Sequence, residues 1–149
     1  MILEQRVVVP VDGATLWSFL MDVPTMSRCV PGVESVEERE PDTFHGVLTV
    51  RVGPIGVRLE GKVAVIERDS DRLVAAMRIQ AADRKLNGAL DATSRLTLEP
   101  LEDGTTALHV HTEAAILGKL GEFGQPIIRR KADQILTEFL ANLRRAIEA

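Results

Sequence analysis

GKLGEFGQPIIRRKADQILTEFLANLRRAIEA, residues 118–149, decides how the rest of the chain is read. Apolar side chains recur in it at Leu120, Phe123, Ile127, Ile128, Ile135, Leu136, Phe139, Leu140, Leu143 and Ile147. Steps of three, four and seven gather them on one broad stripe of a helix. Arg129, Arg130, Lys131, Glu138, Arg144, Arg145 and Glu148 fall mostly off that stripe. The breakers Gly121, Gly124 and Pro126 all sit in the first third. Proline deletes a backbone hydrogen bond and clashes with the preceding turn, so a bend or fresh start is predicted near Pro126. From there to Ile147 the helix is roughly 30 Å long. No other stretch reads as a comparable helix, so this stripe must lie across a sheet.

The remaining chain supplies that sheet. Residues 2–10 read as a strand, with Val7, Val8 and Val9 giving β-branched bulk. Asp12 is placed to cap a short apolar helix holding Leu16, Trp17, Phe19 and Leu20. Asp22 and Pro24 suit the start of a second, ended by Pro31-Gly32. From Val33 the period becomes two. A strand over 33–40 is followed by four alternating runs: 44–52, 57–65, 73–81 and 86–98, and then by a fifth over 108–116. Turn signals separate them: Pro41-Asp42, Gly53-Pro54-Ile55-Gly56, Asp69-Ser70-Asp71, Asp83-Arg84-Lys85 and Glu102-Asp103-Gly104. Alternation means one wet face and one covered face, and short connections mean antiparallel pairing. The expectation is an α+β chain with a curled antiparallel sheet of about seven strands, two short helices after the first strand, and a long terminal helix on the concave side.

At 149 residues this reads as one domain over 1–149. A net charge of −4 supplies no basic field for nucleic acid, and four Phe, one Trp and no Tyr supply no stacking platform. One cysteine excludes an internal disulfide framework. No apolar run reaches the ~18 residues of a membrane span, and residues 1–10 alternate rather than forming a signal peptide. A cytoplasmic, soluble protein is expected.

The positions expected on the covered face are small: Gly46, Gly61, Ala75, Ala81, Gly88, Ala92, Ser94, Thr112 and Ala114. Native cores are densely filled, so under-filling points to a ligand cavity. Its expected walls are Trp17 and Leu20 from the first helix, and Leu48, Val50, Leu59, Met77, Ile79 and Leu90 from the strands. Phe123, Ile127 and Ile128 come from the terminal stretch, and Ile55, Leu86 and Leu120 stand at the entrance. Such a lining suits a lipid-like or quinone-like guest. The competing reading is that these same large side chains fill the space.

Other candidates read more plainly. Cys29 lacks a neighbouring base and reads as a small buried hydrophobe. His109, His111 and Glu113 share the side of a strand that alternates with Leu108 and Val110, so solvent rather than a metal is expected there. Trp17 reads equally as core or as a plane for a ligand ring. Arg129-Arg130-Lys131 reads as a solvated face that would also suit anionic headgroups. Ile55, in a hairpin connection flanked by glycines, is a greasy tip that turn chemistry does not explain. No catalytic triad, phosphate loop or inward carboxylate pair appears, and neither a catalytic residue, a cofactor nor a metal is expected.

Four stretches carry a resemblance: VPVDGATLWSFL (residues 9–20), RCVPGVES (28–35), VRVGPIGVRLEG (50–61) and LGKLGEFGQPIIRRKADQILTEFLANL (117–143). The order of elements and these stretches resemble the START/Bet v 1-like helix-grip superfamily (SRPBCC). Within it the whole chain is similar to the CoxG family of carbon monoxide dehydrogenase subunits. The first stretch is generic to the superfamily, and the Cys-x-Pro-Gly and Val-Gly-Pro pieces are more specific. That resemblance implies a single helix-grip domain and a non-catalytic accessory protein with a hydrophobic cavity. It also implies service to a molybdenum-containing carbon monoxide dehydrogenase or related hydroxylase, with quinone handling and peripheral contact at the inner membrane face. Superfamily relatives include aromatase/cyclases, so an enzyme using the same cavity stays open, as does an interaction module with a filled core.

Overall fold

The structure is a computed structural model and describes residues 1–148. Strand β1 (Ile2–Val9) leads into helices α1 (Gly13–Met21) and α2 (Val23–Ser27). Six strands follow: β2 (Val33–Glu40), β3 (Thr43–Val52), β4 (Ile55–Asp69), β5 (Val74–Asp83), β6 (Gly88–Pro100) and β7 (Thr106–Gly118). A 3-10 helix (Lys119–Phe123) and helix α3 (Gln125–Glu148) end the chain. All seven strands pair antiparallel in the order β1-β7-β6-β5-β4-β3-β2.

The register confirms the two-residue period. Leu48 pairs with Leu59, Gly61 with Ala81, Ile79 with Ala92, and Ser94 with Thr112, all on the face that meets the helices. The outer face carries cross-strand ion pairs, Arg78 with Asp91, Arg95 with Glu67 and Arg58 with Glu34, and Arg58 also pairs with Glu60 along its own strand. These pairs are exposed and contribute little each, but they keep the face wet and fix which way it points.

The core lies at one end of the palm. Val9, Leu16, Trp17, Leu20, Cys29, Ala75, Leu96, Leu98, Leu108, Phe139 and Leu143 form it. Burying each large aliphatic or aromatic side chain contributes about 1.5–3 kcal/mol, so this cluster anchors α1 and the second half of α3 to β5–β7.

Several local expectations change. Asp12 precedes α1 but its side chain makes no capping bond. Asp22 does cap α2, accepting from the Thr25 amide at 3.4 Å and hydroxyl at 2.8 Å. Leu73 is not in a strand: it has φ 57 in the turn before β5, a strained value held because its side chain packs on the core. Leu86 also lies outside its strand, in the turn before β6. Ile55 is not a loop tip but the first residue of β4, paired with Val52. Gly53 takes φ 60, so a two-residue Gly53-Pro54 loop closes the hairpin. The terminal stretch makes the fresh start predicted for it, because Gly124 at φ 87 ends the 3-10 helix and α3 begins at Gln125.

Candidate functional site

Where α3 is fastened decides what it leaves uncovered. Arg129 Nη1 donates to the Ile2 carbonyl at 2.7 Å, and Gln5 Nε2 donates to Asp133 Oδ1 at 2.9 Å. Near its other end, Asn142 Nδ2 donates to the Cys29 carbonyl at 2.9 Å. The first half of α3 is therefore stitched along β1, an edge strand. Its second half sinks Phe139 and Leu143 into the core. Among the described residues, no side-chain hydrogen bond of this kind ties α3 to β3, β4 or β5.

The helix-side face of those strands and of the start of β6 is correspondingly left half-covered. Leu48, Val50, Leu59, Ile79 and Leu90 are half-buried and stand outside the core cluster. Phe123 and Ile128 are half-buried too, and Ile127 is 44% exposed at the start of α3. The strand residues of this set form a half-buried aliphatic strip on the helix-side face, outside the core cluster. The other expected wall residues separate from this set: Trp17 and Leu20 are buried in the core, and Met77 packs on its margin.

At the expected entrance, Ile55 is 37% exposed and Leu86 half-buried. Leu120 is buried instead, because it sits in the space over Gly88: a Cβ there would meet Leu120 Cγ at 2.6 Å. The small residues expected to leave a hollow thus have other reasons at several positions. A Cβ at Gly61 would lie 2.0 Å from the Gln80 carbonyl oxygen and 2.5 Å from Ala81 Cα. One at Gly46 would lie 2.6 Å from the Ser35 carbonyl oxygen. These glycines permit close strand approach where the sheet coils. Ala75 is small because the core is packed over it.

Polar groups on this face are engaged. Ser94 and Thr112 share a hydrogen bond of 2.7 Å. Asp83 ends β5 on the inner side and accepts from the amides of Arg58 at 2.8 Å and Leu86 at 3.0 Å. The Arg58 amide first, and the Leu86 amide second, hold its carboxyl below the usual carboxylate range. It staples β4 to the β5–β6 turn and is poorly suited to proton transfer near neutral pH, a role the sequence showed only as a polar loop.

The remaining candidates take structural roles. Cys29 is buried, and burial pushes its thiol upward, away from a reactive thiolate. His111 Nδ1 lies 2.8 Å from Glu4, which raises its pKa, with Glu113 adding to the effect. His109 pairs with Glu99, and His45 with Glu40. Among the described residues, no group of three or more His, Cys, Asp or Glu side chains is arranged to hold a metal ion. No described helix is long and apolar enough to cross a membrane.

Comparison with known proteins places this geometry. The family model for CoxG, described as a carbon monoxide dehydrogenase subunit, matches residues 6–148. No curated protein matches the chain by sequence. Among solved structures, a conserved protein from Geobacillus kaustophilus superposes with a TM-score of 0.91 at 19% identity, covering 99% of this chain and 95% of that one. The ZhuI aromatase/cyclase from Streptomyces sp. R1128 gives 0.71 at 17% identity, covering 99% and 93%. A START superfamily protein from Mycobacterium smegmatis gives 0.69 at 13%, covering 99% and 97%. At these identities the likeness is one of fold, and that fold is START-like. With a family match running nearly end to end over a sheet and helix of this kind, the chain belongs to the CoxG family of carbon monoxide dehydrogenase subunits.

Proposed function

We propose that this chain is a non-catalytic accessory protein that binds an apolar small molecule, quinone-like or lipid-like, in a groove between this aliphatic strip and the start of α3. The observation that carries the reading is the half-buried aliphatic strip: Leu48, Val50, Leu59, Ile79 and Leu90 lie on the helix side of the sheet, yet the core does not absorb them. Covering ~200 Å² of guest there would contribute about 5 kcal/mol before association costs. Family membership supports service to a molybdenum-containing carbon monoxide dehydrogenase or related hydroxylase. A cyclase-like enzyme is the alternative that the ZhuI fold similarity keeps in view. It needs ionisable groups converging in the groove, whereas the Asp83 carboxylate is committed to two backbone amides. An interaction module with a filled core is disfavoured by the half-buried strip itself.

Peripheral contact with an anionic membrane surface belongs to the same reading. The turns near the groove carry Arg84, Lys85 and Lys119 against Glu122. Exposed Ile55, Leu117 and Ile127 lie at that end. The turns at the opposite end carry Asp12, Asp42, Asp71, Glu102 and Asp103 against Arg72.

The test of guest binding is native mass spectrometry of protein purified without detergent, with thermal melting in the presence of added quinone. An apolar adduct, or a rise in melting temperature, is the expected result. Protein that carries no adduct and melts identically with and without quinone would overturn the reading.

A further inference from the structure

Besides Asp83, the helix-side face carries one further polar pair close to the aliphatic strip. Ser94 of β6 and Thr112 of β7 face each other across the strand pair, oxygen to oxygen at 2.7 Å. On the core side their neighbours are Leu96 and Val110, and on the groove side Ala92 and Ala114. The pair therefore stands where the packed core gives way to the groove. Ser94 is 7% exposed, while Thr112 is only half-buried.

Two hydroxyls bring two protons. The bond between them uses one, and among the described residues the structure supplies no acceptor for the other. Either hydroxyl can be the donor; in the arrangement where the shut-in Ser94 donates, Thr112 keeps the outward proton. Accepting one bond polarises Thr112 and makes it a stronger donor than an isolated hydroxyl. Beside it Ala114 is half-buried, while Ala92 is covered.

We propose that the Thr112 hydroxyl, backed by Ser94, donates a hydrogen bond to an acceptor oxygen of the guest, so that the groove selects a ketone or quinone over a hydrocarbon of the same skeleton. This rests on the groove being a guest site. One net hydrogen bond of this kind separates the two guests by about three- to tenfold in affinity.

The experiment uses a matched pair: dimethylnaphthoquinone, whose substituted ring carbons resist thiol addition, and dimethylnaphthalene. Affinities of the full chain for each are measured by equilibrium partition. The variants are Thr112→Val and the double variant Ser94→Ala with Thr112→Val, and their melting temperatures confirm folding. The expected result is a quinone preference in the native protein that disappears in the double variant while the hydrocarbon binds as before. Equal losses for both guests would show that the pair only packs, and unchanged preference would show an idle donor; either overturns the assignment while leaving the groove intact. Binding of neither guest by the native protein would overturn the groove reading and this inference together.

Discussion

Asp83 shows how one side chain holds a sheet end that its neighbours in sequence do not explain. Its carboxylate accepts from the amide of Arg58, 25 positions away, and from that of Leu86. Asp83→Asn is expected to cost about 1–2 kcal/mol at neutral pH, because a charged acceptor is replaced by a weaker one. Since the folded-state pKa lies below its unfolded value, that contribution is complete at neutral pH and fades as pH falls through the folded value. Urea unfolding of the two proteins should therefore differ at pH 7 and converge in acid. His111 has the opposite sign: its pKa is raised by Glu4, so its small surface contribution is present in acid and lost as pH rises through the folded value. Gly61→Ala is a second test, expected to cost about 1–3 kcal/mol because the added methyl meets the Gln80 carbonyl and Ala81 backbone. Chemical denaturation measures it. Neither role was legible beforehand. Asp83-Arg84-Lys85 reads as a polar loop, and Gly61 reads as missing volume, until the partner strand is known.

At the scale of the element, α3 is two helices in function. Its stripe is continuous from Ile127 to Ile147, but only the second half has a core to enter. Leu143→Ala is expected to cost about 2–5 kcal/mol, since Leu143 is fully buried. Ile127→Ala is expected to cost under about 1 kcal/mol, in keeping with its 44% exposure, and to weaken guest binding instead. Thermal melting and quinone titration on the two variants check the split. Periodicity foretold the stripe and the break near Pro126. It did not distinguish the halves, because the spacing of apolar residues reports a face and not what stands opposite it. The bonds from Gln5, Arg129 and Asn142 that align the helix with β1 and with Cys29 beyond α2 join positions over a hundred apart in the chain, and no local pattern announces them.

Across the whole molecule, charge is sorted along the strand axis. Carboxylates gather in the turns by the core, and lysine, arginine and exposed aliphatics gather by the groove. If that polarity orients the protein on a membrane, it should sediment with vesicles containing phosphatidylglycerol and not with purely zwitterionic ones. Raising salt from about 0.05 M to about 0.5 M should release it, because the Debye length then shrinks to a few ångströms. Arg84→Glu with Lys85→Glu should abolish sedimentation while leaving quinone affinity unchanged. The sequence by itself determined the strand count, the antiparallel order of hairpins, which residues share a sheet face, and the long terminal helix. Each of these follows from periods and turn residues, which act over a few positions. Only the tertiary structure decided that the first half of the helix runs along one edge of the sheet, that several glycines serve curvature rather than a hollow, and that Leu120 is shut in while Leu48 and Leu59 are not. Those outcomes depend on which distant surfaces compete for the same apolar stripe, a contest settled by packing and not by any local signal.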